Sequence, residues 1–164
     1  MRWRLDKVGL EFLDHAPHRF VSTGVVRHPP ESVFAAIAAD PAGWTWFPGF
    51  SDQGRYLTLA PHGAGAIRHV WMAKVGYEET VLVWDEPRRW AFRVDRADLP
   101  FARALVENYR VEPRDSGWSE VTWTLAVDPR LPLRPAMPLM GRALARIWDK
   151  ATLNLTAQLS GSST

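Results

Sequence analysis

Cysteine is missing from all 164 residues. Disulfide frameworks, thiolate metal sites and cysteine nucleophiles are therefore excluded, and the redox compartment is left unmarked. Long apolar runs are missing too. The start, Met1-Arg2-Trp3-Arg4-Leu5-Asp6-Lys7, lacks the apolar stretch of a signal peptide, and no run approaches the ~18 residues of a membrane span. A cytoplasmic protein without integral membrane association is the expectation. An excess of one charge sign is also lacking, because 20 basic residues face 18 acidic ones for a net charge of +2. Arginines 55, 68, 88, 93 and 110 fall singly inside alternating segments rather than on one stripe, so no nucleic-acid partner is expected. The catalytic templates are absent as well: no G-x-S-x-G elbow, no G-x-G-x-x-G or phosphate-binding loop, no H-E-x-x-H, no EF-hand loop. No cofactor and no metal are expected, and His15 and His18 are separated by Pro17, which disrupts the helix that would align them as ligands.

What the chain does have is tryptophan, nine residues of it, within a composition that is 46% apolar. A chain of this length buries roughly 68–70% of its unfolded surface, enough for a substantial core. Large aromatics suit a curved sheet around a broad core or cavity. Residues 1–17 are a weakly patterned lead-in, residues 18–159 form a single domain, and residues 160–164 are a tail expected to fray.

A first strand is expected over Arg19–Arg27, ended by Pro29-Pro30, which then open a helix with Val33, Phe34, Ile37 and Ala38 on one face and a stop at Asp40-Pro41. The aromatic segment Trp44–Gly49 is a second short helix or a tight loop. Six further strands are expected over Tyr56–Leu59, Ala66–Met72, Tyr77–Trp84, Trp90–Asp95, Val106–Glu112 and Val121–Val127, joined by hairpin turns that include Lys74-Val75-Gly76. Between Arg96 and Arg103 lies a longer, partly apolar loop. The clearest helix runs from about Pro138 to Leu159, with Met140, Leu144, Ile147, Ala151 and Leu155 on one stripe. The order predicts an α+β, helix-grip fold: a seven-stranded curved antiparallel sheet wrapped around a long C-terminal helix, with one or two short helices after the first strand.

Several segments, in this order, resemble the START-like (SRPBCC, birch-pollen-allergen-like) superfamily and its polyketide cyclase/dehydrase group. They are Phe20…Val25 before Pro30-Glu31-Ser32-Val33-Phe34, Trp44…Trp46-Phe47-Pro48, Gly65…Arg68, Glu79-Thr80-Val81 running into Trp84-Asp85-Glu86-Pro87-Arg88, Tyr109-Arg110-Val111 and Val121-Thr122-Trp123. The resemblance spans about residues 18–159 and implies an internal cavity between sheet and helix that takes sterols, lipids, polyketides or other apolar molecules. It implies no single reaction.

Strand parity selects candidate site residues. Glu107 shares its face with Leu105, Tyr109 and Val111, and a buried carboxylate there has its pKa raised. Each face of the 77–84 strand carries one acid, and the resemblance favours Glu79, with an ion pair to an arginine as the alternative role. His69 shares a face with Ile67 and Trp71, opposite Arg68, Val70 and Met72, and which of these faces looks inward stays open. Converging, His69, Glu79, Glu107 and Tyr109 supply base, acid and hydroxyl for enolisation, cyclisation or dehydration. The candidate apolar lining is Trp46, Trp71, Trp90, Phe92, Tyr109, Trp123, Met140, Leu144, Ile147 and Trp148. Three functions compete: binding or carrying a small hydrophobic ligand; a metal-free cyclase, aromatase or dehydratase; and a non-catalytic interaction module using the Leu99–Ala104 loop or the face with Arg130, Arg134, Arg142 and Arg146.

Overall fold

Period-two alternation builds most of this molecule. In the computed structural model, which describes residues 2–161, burial alternates residue by residue along the first long strand and places Val21, Thr23 and Val25 outward. The elements in chain order are β1 (Trp3–Arg4), α1 (Phe12–His15), β2 (His18–Val26), α2 (Pro30–Ile37), a 3-10 segment (Pro41–Trp46), β3 (Arg55–Tyr56), β4 (Ile67–Met72), β5 (Val75–Asp85), β6 (Arg89–Ala97), β7 (Ala102–Pro113), β8 (Ser119–Pro129), a second 3-10 segment (Leu131–Ala136) and α3 (Met137–Gly161).

Every strand pairing is antiparallel, in the order β2-β8-β7-β6-β5-β4-β3. Irregularities in β5 at Glu78/Glu79 and Val81/Val83, and in β7 at Ala102/Ala104, increase the local twist and help the sheet curl. The long C-terminal helix lies on its concave face, the helix-grip arrangement. Pro30 starts α2 at a position where a missing N–H costs nothing, and Val33, Phe34 and Ile37 face the core. Asp40 accepts from the Ala42 backbone N–H and caps the 3-10 segment.

The structure departs from the expectations at several points, among them the strand expected over Tyr56–Leu59, which is only β3 (Arg55–Tyr56), and the lead-in, which forms the short helix α1. An eighth strand exists: β1 pairs with β6 through Trp3↔Ala97 and Arg4↔Arg96, and two residues are too few to show periodicity. The β4–β5 turn is Ala73-Lys74, both with positive φ, because the pairing Met72↔Val75 leaves two residues for a turn of the I′ kind. β7 begins at Ala102, so the loop after β6 is shorter than Arg96–Arg103. Finally, α3 continues through Ser160 and Gly161, where fraying was expected, and Ser160 hydrogen-bonds His28 at 3.0 Å; positions 162–164 of that tail lie outside the described residues.

The lead-in has a place in the fold. Leu13, flanked by Val8, Leu10, Phe12 and Ala16, covers Val106 and Ala126 on the convex face. On the concave face the C-terminal half of α3 packs closely, with Trp148, Ala151 and Leu155 fully buried. This closeness depends on Gly24: a Cβ there would lie 2.6 Å from the Thr152 methyl.

Candidate functional site

The helix does not fill the whole concave face. Toward its N-terminal half, a cavity of about 290 Å³ remains between α3 and the sheet. That is at the small end of the ~300–1,000 Å³ typical of ligand sites. Its walls are Phe47, Phe50, Phe92, Phe101 and Trp123, aliphatic residues including Leu125 and Val127, and Met137, Met140, Leu144 and Ile147 from α3. Leu133 and Met140 are partly exposed as well as lining, so the cavity reaches the surface beside the second 3-10 segment. A separate groove of about 380 Å³ lies on the convex face among Asp14, Arg19, Arg89, Asn108 and Arg110, but it is open and polar and shares no lining residue with the cavity.

Two acids, Glu79 and Glu107, stand with the Tyr77 phenol in a cavity wall that is apolar elsewhere. Glu79 is the direct cross-strand partner of Arg68, and Arg68 Nε donates to Glu79 Oε2 at 2.5 Å. The guanidinium, wholly buried, lies 4.6, 4.4 and 4.7 Å from the ring centres of Trp44, Trp90 and Phe92. Those π faces take the place of hydrogen-bond acceptors for its Nη atoms, which have no such partner among the described residues. Glu107 Oε2 accepts from Tyr109 Oη at 2.7 Å and from Trp123 Nε1 at 2.9 Å. The Oε1 atom of each acid meets no protein donor among the described residues.

Burial pushes the Glu79 carboxyl up to about 7, against the pull of Arg68, and Glu107 adds to the rise. Burial likewise raises Glu107, opposed by the two hydrogen bonds it accepts. The Tyr109 hydroxyl is driven well above its ordinary range by burial and by Glu107, so it acts as a neutral donor. Chemically this is an apolar chamber holding two carboxyls that keep their protons to higher pH than free acids do.

The candidate residues divide into three groups. Phe92, Trp123, Met140, Leu144, Ile147, Glu79 and Glu107 line the cavity. Trp46, Trp90, Tyr109 and Trp148 are fully buried but stand behind it, in an aromatic cluster around Trp44 that closes the other end. His69 and Trp71 are a correction. Arg68 and Val70 are the buried residues of β4, so His69 and Trp71 face outward, where His69 Nε2 contacts Arg2 at 2.8 Å and its ring packs against Trp71. Burial and Arg2 lower the His69 pKa. His69 therefore stands apart from Glu79, Glu107 and Tyr109. The residue missed by sequence reasoning is Arg68, signalled by its sharing a face with Val70 and Met72. Phe47, Phe50, Tyr77, Phe101 and Met137 were missed as lining because loops, sheet bulges and the helix start carry no clear period.

Comparison with known proteins now adds the family. The model of the polyketide cyclase / dehydrase and lipid transport family matches residues 17–160. The chain belongs to this family. An uncharacterized protein of Mycobacterium tuberculosis is 34% identical over 147 residues, covering 86% of each chain. Among solved structures, a START superfamily protein from Mycobacterium smegmatis superimposes with a TM-score of 0.73 at 13% identity, covering 89% of this chain and 99% of the other. The Zhui aromatase/cyclase from Streptomyces sp. R1128 does so with a TM-score of 0.69 at 14% identity, covering 87% and 93%. Ara h 8.0201 gives a TM-score of 0.66 at 13% identity, covering 88% and 98%. At such identities these likenesses establish the START-like, helix-grip fold of this family member and nothing finer. No helix among the described residues is long and apolar enough to cross a membrane.

Proposed function

We propose that this chain binds or carries a small apolar molecule in the cavity between the sheet and α3. The observation that carries this reading is the cavity itself: aromatic and aliphatic walls whose polar side chains are Glu79, Glu107 and the Tyr77 phenol. Burying apolar ligand surface there is favourable by about 25 cal/mol per Å². The modest volume favours a one- or two-ring aromatic or a short acyl chain over a whole sterol. The lipid-transport element of the family description agrees with this reading. Native mass spectrometry of protein purified from its own host, followed by denaturing extraction, tests it. Retention of one apolar compound class supports the reading; an empty protein whose tryptophan fluorescence ignores a panel of lipids and aromatics rejects it.

A second reading has its own observation. Glu79, Glu107 and Tyr109 together are the parts of an acid–base site, with the Glu79 carboxyl near neutrality. A cyclase, aromatase or dehydratase acting on a carbonyl-bearing apolar substrate uses such a pair, and one structural neighbour is named an aromatase/cyclase. Conversion of a poly-β-keto substrate, abolished in Glu107→Gln, separates catalysis from carriage.

A further inference from the structure

Resting on the binding reading, the two acids indicate which polar end a ligand carries. Glu79 and Glu107 sit on strands flanking β6, where Val94 pairs with Glu79 and Phe92 with Glu107, so their backbones are two strands across and two residues along, about 12 Å apart. One oxygen of each is anchored, by Arg68 on one side and by Tyr109 and Trp123 on the other. The second oxygen of each is left to the cavity that both residues line. Arg68 itself is out of reach of a ligand: it is wholly buried, its Nη atoms enclosed by aromatic rings, and it is not part of the lining.

Charge balance follows from this geometry. The only ion pair that either acid makes among the described residues is Arg68–Glu79. One cation against two buried carboxyls is neutral only when one proton stays on the acids, and an uncompensated buried charge costs several kcal/mol. In the neutral state the two acids offer the cavity one O–H donor and one carboxylate acceptor, and the Tyr77 phenol lines the same cavity.

We infer that the cavity takes apolar molecules whose polar end is an uncharged oxygen, a hydroxyl or a carbonyl, and turns away those that end in a carboxylate. A hydroxyl donates to the ionised acid or accepts from the protonated one, and a carbonyl accepts from the protonated one. A carboxylate adds a further negative charge beside acids whose one buried counter-ion is already engaged, so it enters only together with a proton.

A series of one shape and varied end group tests this by isothermal titration calorimetry at pH 7.5: naphthalene, 2-naphthol, 2-acetylnaphthalene and 2-naphthoate. The expected result is that naphthol and acetylnaphthalene bind at least tenfold tighter than naphthoate. Any naphthoate binding should be accompanied by net proton uptake, read from buffers of different ionisation heat. In Glu107→Gln, whose amide oxygen still accepts from Tyr109 and Trp123, the gap should narrow to about threefold or less; Glu79→Gln is the second variant, with near-UV circular dichroism checking the fold of both. Naphthoate binding as tightly as naphthol to the unmodified protein overturns the inference while leaving the cavity reading intact. A gap that survives in both variants also overturns it, because the acids are then not its cause. Failure of every probe, naphthalene included, removes the cavity reading and this inference with it.

Discussion

Arg68 and Glu79 are paired residues of β4 and β5 whose side chains meet on the inner face of the sheet, so strand register alone brings a fully buried arginine onto a carboxylate of the cavity wall. The two partners are not equivalent. A carboxyl stranded in an apolar setting escapes its charge by taking up a proton, whereas an arginine keeps its charge in any protein environment.

Removing the acid should therefore cost more than removing the base. Glu79→Leu leaves a buried guanidinium without a counter-ion and is expected to lower unfolding free energy by about 3–5 kcal/mol, the range for broken buried pairs. Arg68→Met leaves a carboxyl that protonates, and its cost at pH 6 should be clearly smaller. Urea unfolding of both variants at pH 6 checks this; a larger loss for Arg68→Met would show that the aromatic stacking, not the charge balance, dominates.

Stability should fall as pH rises through the acid-to-neutral range. Glu79 titrates at about 7 in the fold against an ordinary 4.5, so the fold holds its proton more tightly than the unfolded chain does. The sign follows: the stability tied to that proton is fully present below 4.5 and is lost as pH climbs to about 7, with roughly 3 kcal/mol as an upper bound for 2.5 pH units. Burial of Glu107 acts in the same direction. Thermal unfolding of Glu79→Gln should show a shallower decline between pH 5 and 8 than the unmodified protein, and an unchanged slope would mean that this carboxyl does not hold the proton.

Much of this architecture was legible from alternation and punctuation. Pro29-Pro30 ended β2 and began α2, and the parity of Trp90, Phe92 and Val94 matched their inward placement on β6. What alternation cannot convey is depth. Trp90 and Phe92 share a face, yet Trp90 is sealed beneath Trp44 of the 3-10 segment while Phe92 borders the void under the N-terminal half of α3. The close packing of the C-terminal half of α3 depends on Gly24 and Thr152, more than a hundred residues apart in sequence. On β4 the apolar and polar residues were too evenly split to choose a face, and the outward histidine was the more conspicuous chemical group than the inward arginine.

His69 therefore offers a control on the site. Its ring faces Arg2 and Trp71 on the convex side, so His69→Gln should leave cavity binding of naphthalene within about twofold and should not alter any pH dependence assigned to the acids. Leu144→Trp should do the opposite, since a larger side chain on α3 occupies the cavity that Leu144 lines; binding should fall at least tenfold with little loss of thermal stability. Calorimetric titration of the two variants side by side reads both effects, and binding retained by Leu144→Trp would place the ligand elsewhere.

The close approach of α3 to β2 can be tested through the pair that permits it. A Cβ on Gly24 would stand 2.6 Å from Thr152 Cγ2 and 3.1 Å from its Oγ1, and Thr152 is buried with its hydroxyl donating to the helix backbone, to Trp148 O at 3.2 Å and Asp149 O at 3.0 Å. Gly24→Ala forces the helix to lift or the threonine to leave its rotamer, an overpacking cost of about 1–3 kcal/mol. Thr152→Ser deletes the offending methyl and keeps the hydroxyl, so it should recover part of the loss, giving a favourable coupling of about 0.5 kcal/mol or more in a double-mutant cycle measured by urea unfolding. The same lift would open the closed end of the aromatic cluster, where Trp123 and Trp148 pack at 5.3 Å. Gly24→Ala should therefore also change tryptophan fluorescence and weaken naphthalene binding, with Thr152→Ser restoring both. Additive behaviour of the two substitutions would show that the helix is set against the sheet by contacts other than this one.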